Sequence, residues 1–201
     1  MSSEQTAAAE RGRPDAPDGS IQTVSGRWIN PLAPDVAQID IGDIAQALAN
    51  TCRFGGHSRR FYSVAQHSTI VSDVCAERGA SPAETLVALL HDAAEAYLVD
   101  LPHPIKHRSD LGPPFQRAEK GMEAAIAVRF ELGPPPADMK SIDRSLLATE
   151  RRTFTSTLDT WPELEGFEPL PIEIDPWDPP RALREFLERF ERLEAARAAR
   201  P

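Results

Sequence analysis

The stretch "LLHDAAEAYLVDLPHPIKH", residues 89–107, decides how this chain is read. Its first half carries Leu and Ala at the density of a buried helix. Yet His91, Asp92 and Glu95 interrupt it, and Asp100 follows just past its end. A carboxylate in a core helix is costly unless something pairs with it, so these four groups need a partner. His91 and Asp92 are adjacent and project about 100° apart on a helix, but both can reach one ion where helix faces meet. Glu95, at i+4 from His91 and i+3 from Asp92, overhangs the same patch one turn on.

Working outward, this helix has the clearest start in the chain. Ser81 is the N-cap, Pro82 sits at N1, and Glu84 at N3 completes a capping box. The pattern predicts one helix through "AETLVALLHDAAEAYL", ending before Pro102. Upstream, Ile41, Ile44, Ala45, Leu48, Ala49 and Cys52 recur at helical spacing, with Gly55-Gly56 as the stop. A second helix is expected over 63–78, with Gly79 as its C′ residue. Downstream, "LPHPIKHRSDLGPP" reads as a proline-rich loop. Helices are expected over 114–132 and 136–154, then an irregular proline-rich run. A last helix opens at Asp178-Pro179 with the apolar stripe Leu183, Phe186, Leu187, Phe190 and Leu193. "IQTVSGRWINPLAPD" is an extended arm or short hairpin. Residues 1–20 read as a flexible tail before a folded unit over 21–195. The expectation is an all-α bundle of about six helices, with one short N-terminal hairpin at most.

Composition narrows the function. A chain of 201 residues with 41% hydrophobic and 26% charged residues is ordinary for a soluble globular protein. Its net charge of −9 argues against a nucleic-acid polymer as partner. A small anionic substrate is still compatible, because a metal or a local cationic cluster reverses the field within one pocket. Cys52 and Cys75 give neither a zinc knuckle nor a disulfide framework, which fits a reducing cytoplasm. No apolar run approaches a secretory signal or a membrane span.

All five histidines fall between positions 57 and 107. His67 lies on the second helix and His91 on the third, while the fifth carries Asp143 among Ile142, Leu146 and Leu147. Two imidazoles and two carboxylates, His67, His91, Asp92 and Asp143, make an open N2O2 set. Such a set suits Mn, Fe, Co or Zn, with weakly bound Mg also compatible. A metal there lowers the pKa of the water it binds and polarises a phosphoryl oxygen, and Glu95 would move the proton. In "CRFGGHSRRF", Arg53, Arg59 and Arg60 read either as phosphate contacts or as a solvated turn, with His57 beside them.

This ordered set resembles the HD-domain superfamily of metal-dependent phosphohydrolases: His67 in "SVAQHS", His91-Asp92 in "LLHDAAE", and Asp143 in "SIDRSLLATE". It is closest to the bacterial 5′-deoxynucleotidases and the phage-type dATP triphosphohydrolases, through "GRW" at 26–28, residues 43–68, 88–107 and "DRSLLATERR" at 143–152. The resemblance covers about residues 20–155. It implies an HD domain with His67, His91, Asp92 and Asp143 as metal ligands. Glu95 would activate or orient the attacking water, and Asp100 would assist protonation of the leaving oxygen. Arg27 and Lys106 would contact phosphate, Trp28 would lie against the sugar, and Arg53 and His57 are further substrate-side candidates. Three positions depart from the family pattern: Val99 where Gly is common, Gln66 where related nucleotidases often carry Glu, and His103 where a small residue is usual. The resemblance further implies a homo-oligomer acting on a nucleotide, without a membrane partner. A 5′-deoxynucleotidase, a dNTP triphosphohydrolase and a non-catalytic metal- or nucleotide-sensing module remain the alternatives. The presence of both Glu95 and Asp100 favours turnover over sensing.

Overall fold

The computed structural model describes residues 16–155 and 161–199, and most of the chain expected as a tail, 1–15, lies outside them. Among the described residues there are eight helices and one two-stranded hairpin. Strand β1 (Ile21–Gln22) pairs antiparallel with β2 (Trp28–Ile29), Ile21 opposite Ile29. Gly26 takes φ +85° in the turn between them, a conformation that favours glycine. The hairpin is held to the first helix, α1 (Ile41–Asn50), by Asp43, which accepts from the Ser25 N–H at 2.9 Å and the Ser25 hydroxyl at 2.7 Å.

The helices that follow are α2 (Val64–Glu77), α3 (Pro82–Leu89), α4 (Glu95–Leu98), α5 (His103–Arg108), α6 (Gly112–Arg129), α7 (Met139–Phe154) and α8 (Pro179–Ala198). Helix α8 lies across α1, α2 and α3, and α7 packs on α2. Its expected stripe is what α8 buries, with Phe186 fully inside and Leu183, Leu187 and Phe190 partly so. Truncating Phe186 to Ala would cost ~3–5 kcal/mol. One apolar cluster gathers around Ile44, Leu48, Leu89, Met122 and Phe186. A second forms around Tyr62, Val71, Ile142, Leu146 and Phe154. Helix α2 contributes to both, and His67 sits on it with no exposure. No helix among the described residues is long and apolar enough to cross a membrane.

The all-α expectation and the hairpin stand, but several boundaries differ for local reasons. The first helix ends at Asn50, not at the glycines. Cys52 is already extended and bridges to Ser63, and Gly55-Gly56 belong to a separate 3-10 turn (Arg53–Gly56) in which Phe54 takes φ +59°. The third helix is not continuous. Its capping box forms as expected, yet it stops at Leu89 and resumes at Glu95. Between them the Ala88 carbonyl, which an unbroken helix offers to the backbone, accepts from the His91 ring at 2.8 Å. The run "HPIKHR", expected as loop, is helix α5. Its Pro104 sits in the first turn, where a missing N–H costs nothing. Helix α6 begins at Gly112, earlier than expected, because a Cβ there would lie 2.2 Å from the Lys106 carbonyl oxygen, and only glycine fits so close to α5. Helix α7 starts at Met139, and Pro134–Pro136 lie outside any helix or strand.

Candidate metal centre

Three elements meet at the site. Helix α2 supplies His67, the broken turn after α3 supplies His91 and Asp92, and α7 supplies Asp143. Ligand atoms of His67, His91 and Asp92 lie within 4.8 Å of one another. Asp143 stands beside this trio, with Oδ1 3.2 Å from His67 Nε2.

The ring partners settle which nitrogens face inward. His91 Nδ1 lies 2.8 Å from the Ala88 carbonyl oxygen, which can only accept, so Nδ1 carries the hydrogen. His67 Nδ1 lies 2.6 Å from Glu150 Oε1. Burial pushes the Glu150 carboxyl up, but Arg53, His67 and Tyr62 outweigh it and hold it ionised, so Nδ1 again donates. Both Nε2 atoms therefore point into the cluster. His67 Nε2 is 3.6 Å from Asp92 Oδ2, and His91 Nε2 is 3.2 Å from the same oxygen. Neither Nε2 makes a directed hydrogen bond. Acceptor atoms that face one another this way need a proton or a cation among them. Burial lowers the His67 pKa and Arg53 adds to that, but Glu150 and Asp143 outweigh both and lift it to about 10. His91 is likewise raised, with Asp92 overcoming burial. The donor set, two imidazole nitrogens and carboxylate oxygen with orphaned inward atoms, can hold a divalent metal ion.

Around this floor the acids divide by environment. Burial opposes ionisation of Asp92, yet His91, His67 and Arg53 hold it well below the usual carboxylate range. Asp143 is lowered too, against burial, through its contact with His67. Glu95 goes the other way: burial first, then repulsion from Asp92 and Asp100, raises it well above normal. Its Oε2 is buried without a partner. Asp100 is also raised, by burial against the pull of Arg53. It follows Val99, whose φ of +65° and ψ of 159° fall where side chains are rarely tolerated.

No protein-family model matches the chain. It is 38% identical over 182 residues to the uncharacterized protein YfdR of Escherichia coli (strain K12), covering 88% of this chain and 97% of that one. The chain belongs to the YfdR family. A second member-like relative, an uncharacterized protein of Rhodobacter capsulatus, is 34% identical over 148 residues, or 72% of each chain.

In this YfdR-family chain the remaining expected residues are spread more widely. Arg53 is buried at the site, with one guanidinium nitrogen 3.0 Å from Glu150 Oε2 and another 3.7 Å from Asp92 Oδ2. Arg27 pairs with Asp40 at 3.1 Å. With Trp28 it lines a surface cavity of about 450 Å³ whose lining includes none of the His–Asp residues. Lys106 pairs with Glu119 at 2.6 Å. His57 is exposed and closes the turn after Arg53 through its backbone N–H. The His103 ring lies tilted against that of His107, ring centroids 4.4 Å apart. Gln66, one of the departures from the family pattern, has a local role: its amide donates to the Asp175 carbonyl and accepts from the Trp177 N–H, both at 2.8 Å. The residue that sequence reading missed is Glu150. Its signal was present, since it lies seven residues after Asp143 and so on the same face of α7.

Proposed function

We propose that this chain is a metal-dependent phosphohydrolase of the HD-domain type, acting on deoxynucleotides as a 5′-deoxynucleotidase. The observation that carries the proposal is the convergence of His67, His91 and Asp92, with Asp143 alongside, next to two carboxyls whose pKa values burial raises. His67, His91, Asp92 and Asp143 would hold a divalent ion, which would supply an acidified water and withdraw charge from a phosphoryl oxygen. The chain's own groups do the rest. Burial, then repulsion from Asp92 and Asp100, raises the Glu95 pKa and disfavours its ionised form. With Asp92 engaged as a ligand its repulsion would fall, and Glu95 would ionise and accept the proton of the attacking water. Asp100, raised by burial, would give a proton to the leaving 5′-oxygen. Water adds at phosphorus, the bond from phosphorus to the 5′-oxygen breaks, and the products are deoxynucleoside and inorganic phosphate.

A monophosphate is favoured by how the expected cationic contacts are engaged. Arg53 is buried between Glu150 and Asp92, Arg27 is on Asp40 and Lys106 is on Glu119. A triphosphate would have to break more of these pairs than a monophosphate. The test is product analysis with each deoxynucleoside monophosphate and with dATP, each in Mn²⁺, Co²⁺, Zn²⁺ and Mg²⁺. Deoxynucleoside and phosphate from monophosphates are expected. Turnover of triphosphates alone would transfer the chain to the triphosphohydrolase class, and no turnover with any pair would leave a sensing module.

A further inference from the structure

Glu150 is the most deeply buried acid at the site, with no exposure, and it makes three hydrogen bonds. His67 Nδ1 is 2.6 Å away, the Tyr62 hydroxyl donates at 2.8 Å, and Arg53 donates at 3.0 Å. The two metal-site histidines are therefore oriented by unlike partners: His91 by a neutral backbone carbonyl, His67 by an anion. A carboxylate behind an imidazole fixes the ring, fixes the tautomer and strengthens the far nitrogen as a donor. The guanidinium that balances Glu150 also reaches Asp92 at 3.7 Å, so one buried pair touches both sides of the site.

Resting on the metal-centre reading, we infer that Glu150, with Arg53 as its counter-ion, is a positioning residue that commits His67 Nε2 to the metal and sets its donor strength. A purely structural role, stapling α7 to the Arg53 turn, would show in stability alone. The two are separated by titrating metal-free protein with Mn²⁺ in a calorimeter and measuring thermal midpoints in parallel. Glu150→Gln keeps the shape but removes the charge, and should weaken Mn²⁺ binding roughly 10–100-fold. Tyr62→Phe removes one donor from the same carboxylate but leaves its charge and its bond to His67, and should weaken Mn²⁺ binding far less than Glu150→Gln does. Equal affinity in Glu150→Gln and wild type, or equal losses in both variants, would overturn the inference.

A check on unaltered protein covers the case in which Glu150→Gln fails to fold. In the Zn²⁺-loaded wild type, ¹⁵N shifts should show His67 protonated at Nδ1 and metal-bound at Nε2, and the reverse assignment would overturn the role. Wild type that binds Mn²⁺ more tightly than Glu150→Gln but hydrolyses no nucleotide would sink the proposed function and keep this role. Wild type that binds no divalent ion would remove both.

Discussion

The floor and the rim of the site are built on opposite rules. On the floor, His67, Glu150, Arg53 and Tyr62 are buried, and each is bonded to another member of the set. Its acids ionise readily despite burial, because cations and donors surround them. On the rim, Glu95 and Asp100 are acids that resist ionising, one with an orphaned oxygen, beside a backbone that is strained at Val99. Behind its inward-facing Nε2 atoms the floor is bonded within itself and resembles a structural core. The rim is left unsatisfied, which stability alone would not favour. The proposed function reads that asymmetry as ion-holding by the floor and proton traffic at the rim.

The sharpest break of this comparison is to cut the floor. Asp92→Ala should abolish Mn²⁺ binding in calorimetry and, with it, phosphate release. Arg53→Ala should cost about 3–5 kcal/mol in urea denaturation, because it leaves Glu150 buried and unpaired. A loss under 1 kcal/mol would mean that the floor is not the core it resembles.

Cutting the rim should act on chemistry alone. Glu95→Gln should lower kcat by ~10²–10⁴-fold with Mn²⁺ affinity retained. Since the Glu95 pKa is raised on folding, the wild type loses stability as pH rises through the folded value, and the Gln variant avoids that loss. Metal-free Glu95→Gln should therefore melt higher than metal-free wild type at pH 8. An equal or lower midpoint would show that the rim stores nothing.

pH separates the two regions further. With His67 raised to about 10, metal-free protein holds that histidine's stabilisation in full below its unfolded value and loses it as pH climbs towards 10. Asp143 and Glu150, both held low, contribute the opposite limb: their stabilisation is present above the unfolded carboxylate values and is lost as pH falls through the folded ones. Metal must displace the His67 proton. Mn²⁺ affinity should then rise with pH, with proton release visible as a dependence of binding heat on buffer. A pH-independent affinity would contradict the inward-facing Nε2. The smallest effect belongs to Val99→Gly, which relieves the positive φ and should raise stability by about 1 kcal/mol.

Helix periodicity and the Ser81 capping box made much of the fold legible, and the order of His67, His91, Asp92 and Asp143 marked out the floor. The break at 90–94 was not legible. It depends on the His91 ring taking a backbone carbonyl, which spacing alone cannot show. Helix α5 was hidden because its prolines read as loop signals, although they occupy a first turn. Glu150 was hidden for a different reason. In "LLATERR" it looks like one more charge on a solvated face; the seven-residue spacing from Asp143 was the hint, and its burial against α2 makes it a counter-ion. Arg27 and Lys106 illustrate the limit from the other side: both are where a phosphate contact was expected in sequence, yet each is occupied by an acid of the chain's own.

The most direct test of the central claim is hydrolysis of dAMP with Mn²⁺ in ¹⁸O-water, followed by ³¹P NMR and mass analysis of both products. Attack at phosphorus predicts one ¹⁸O in the released phosphate and none in the deoxyadenosine. Label in the nucleoside, or no phosphate from dAMP with any of the four metals, would contradict it.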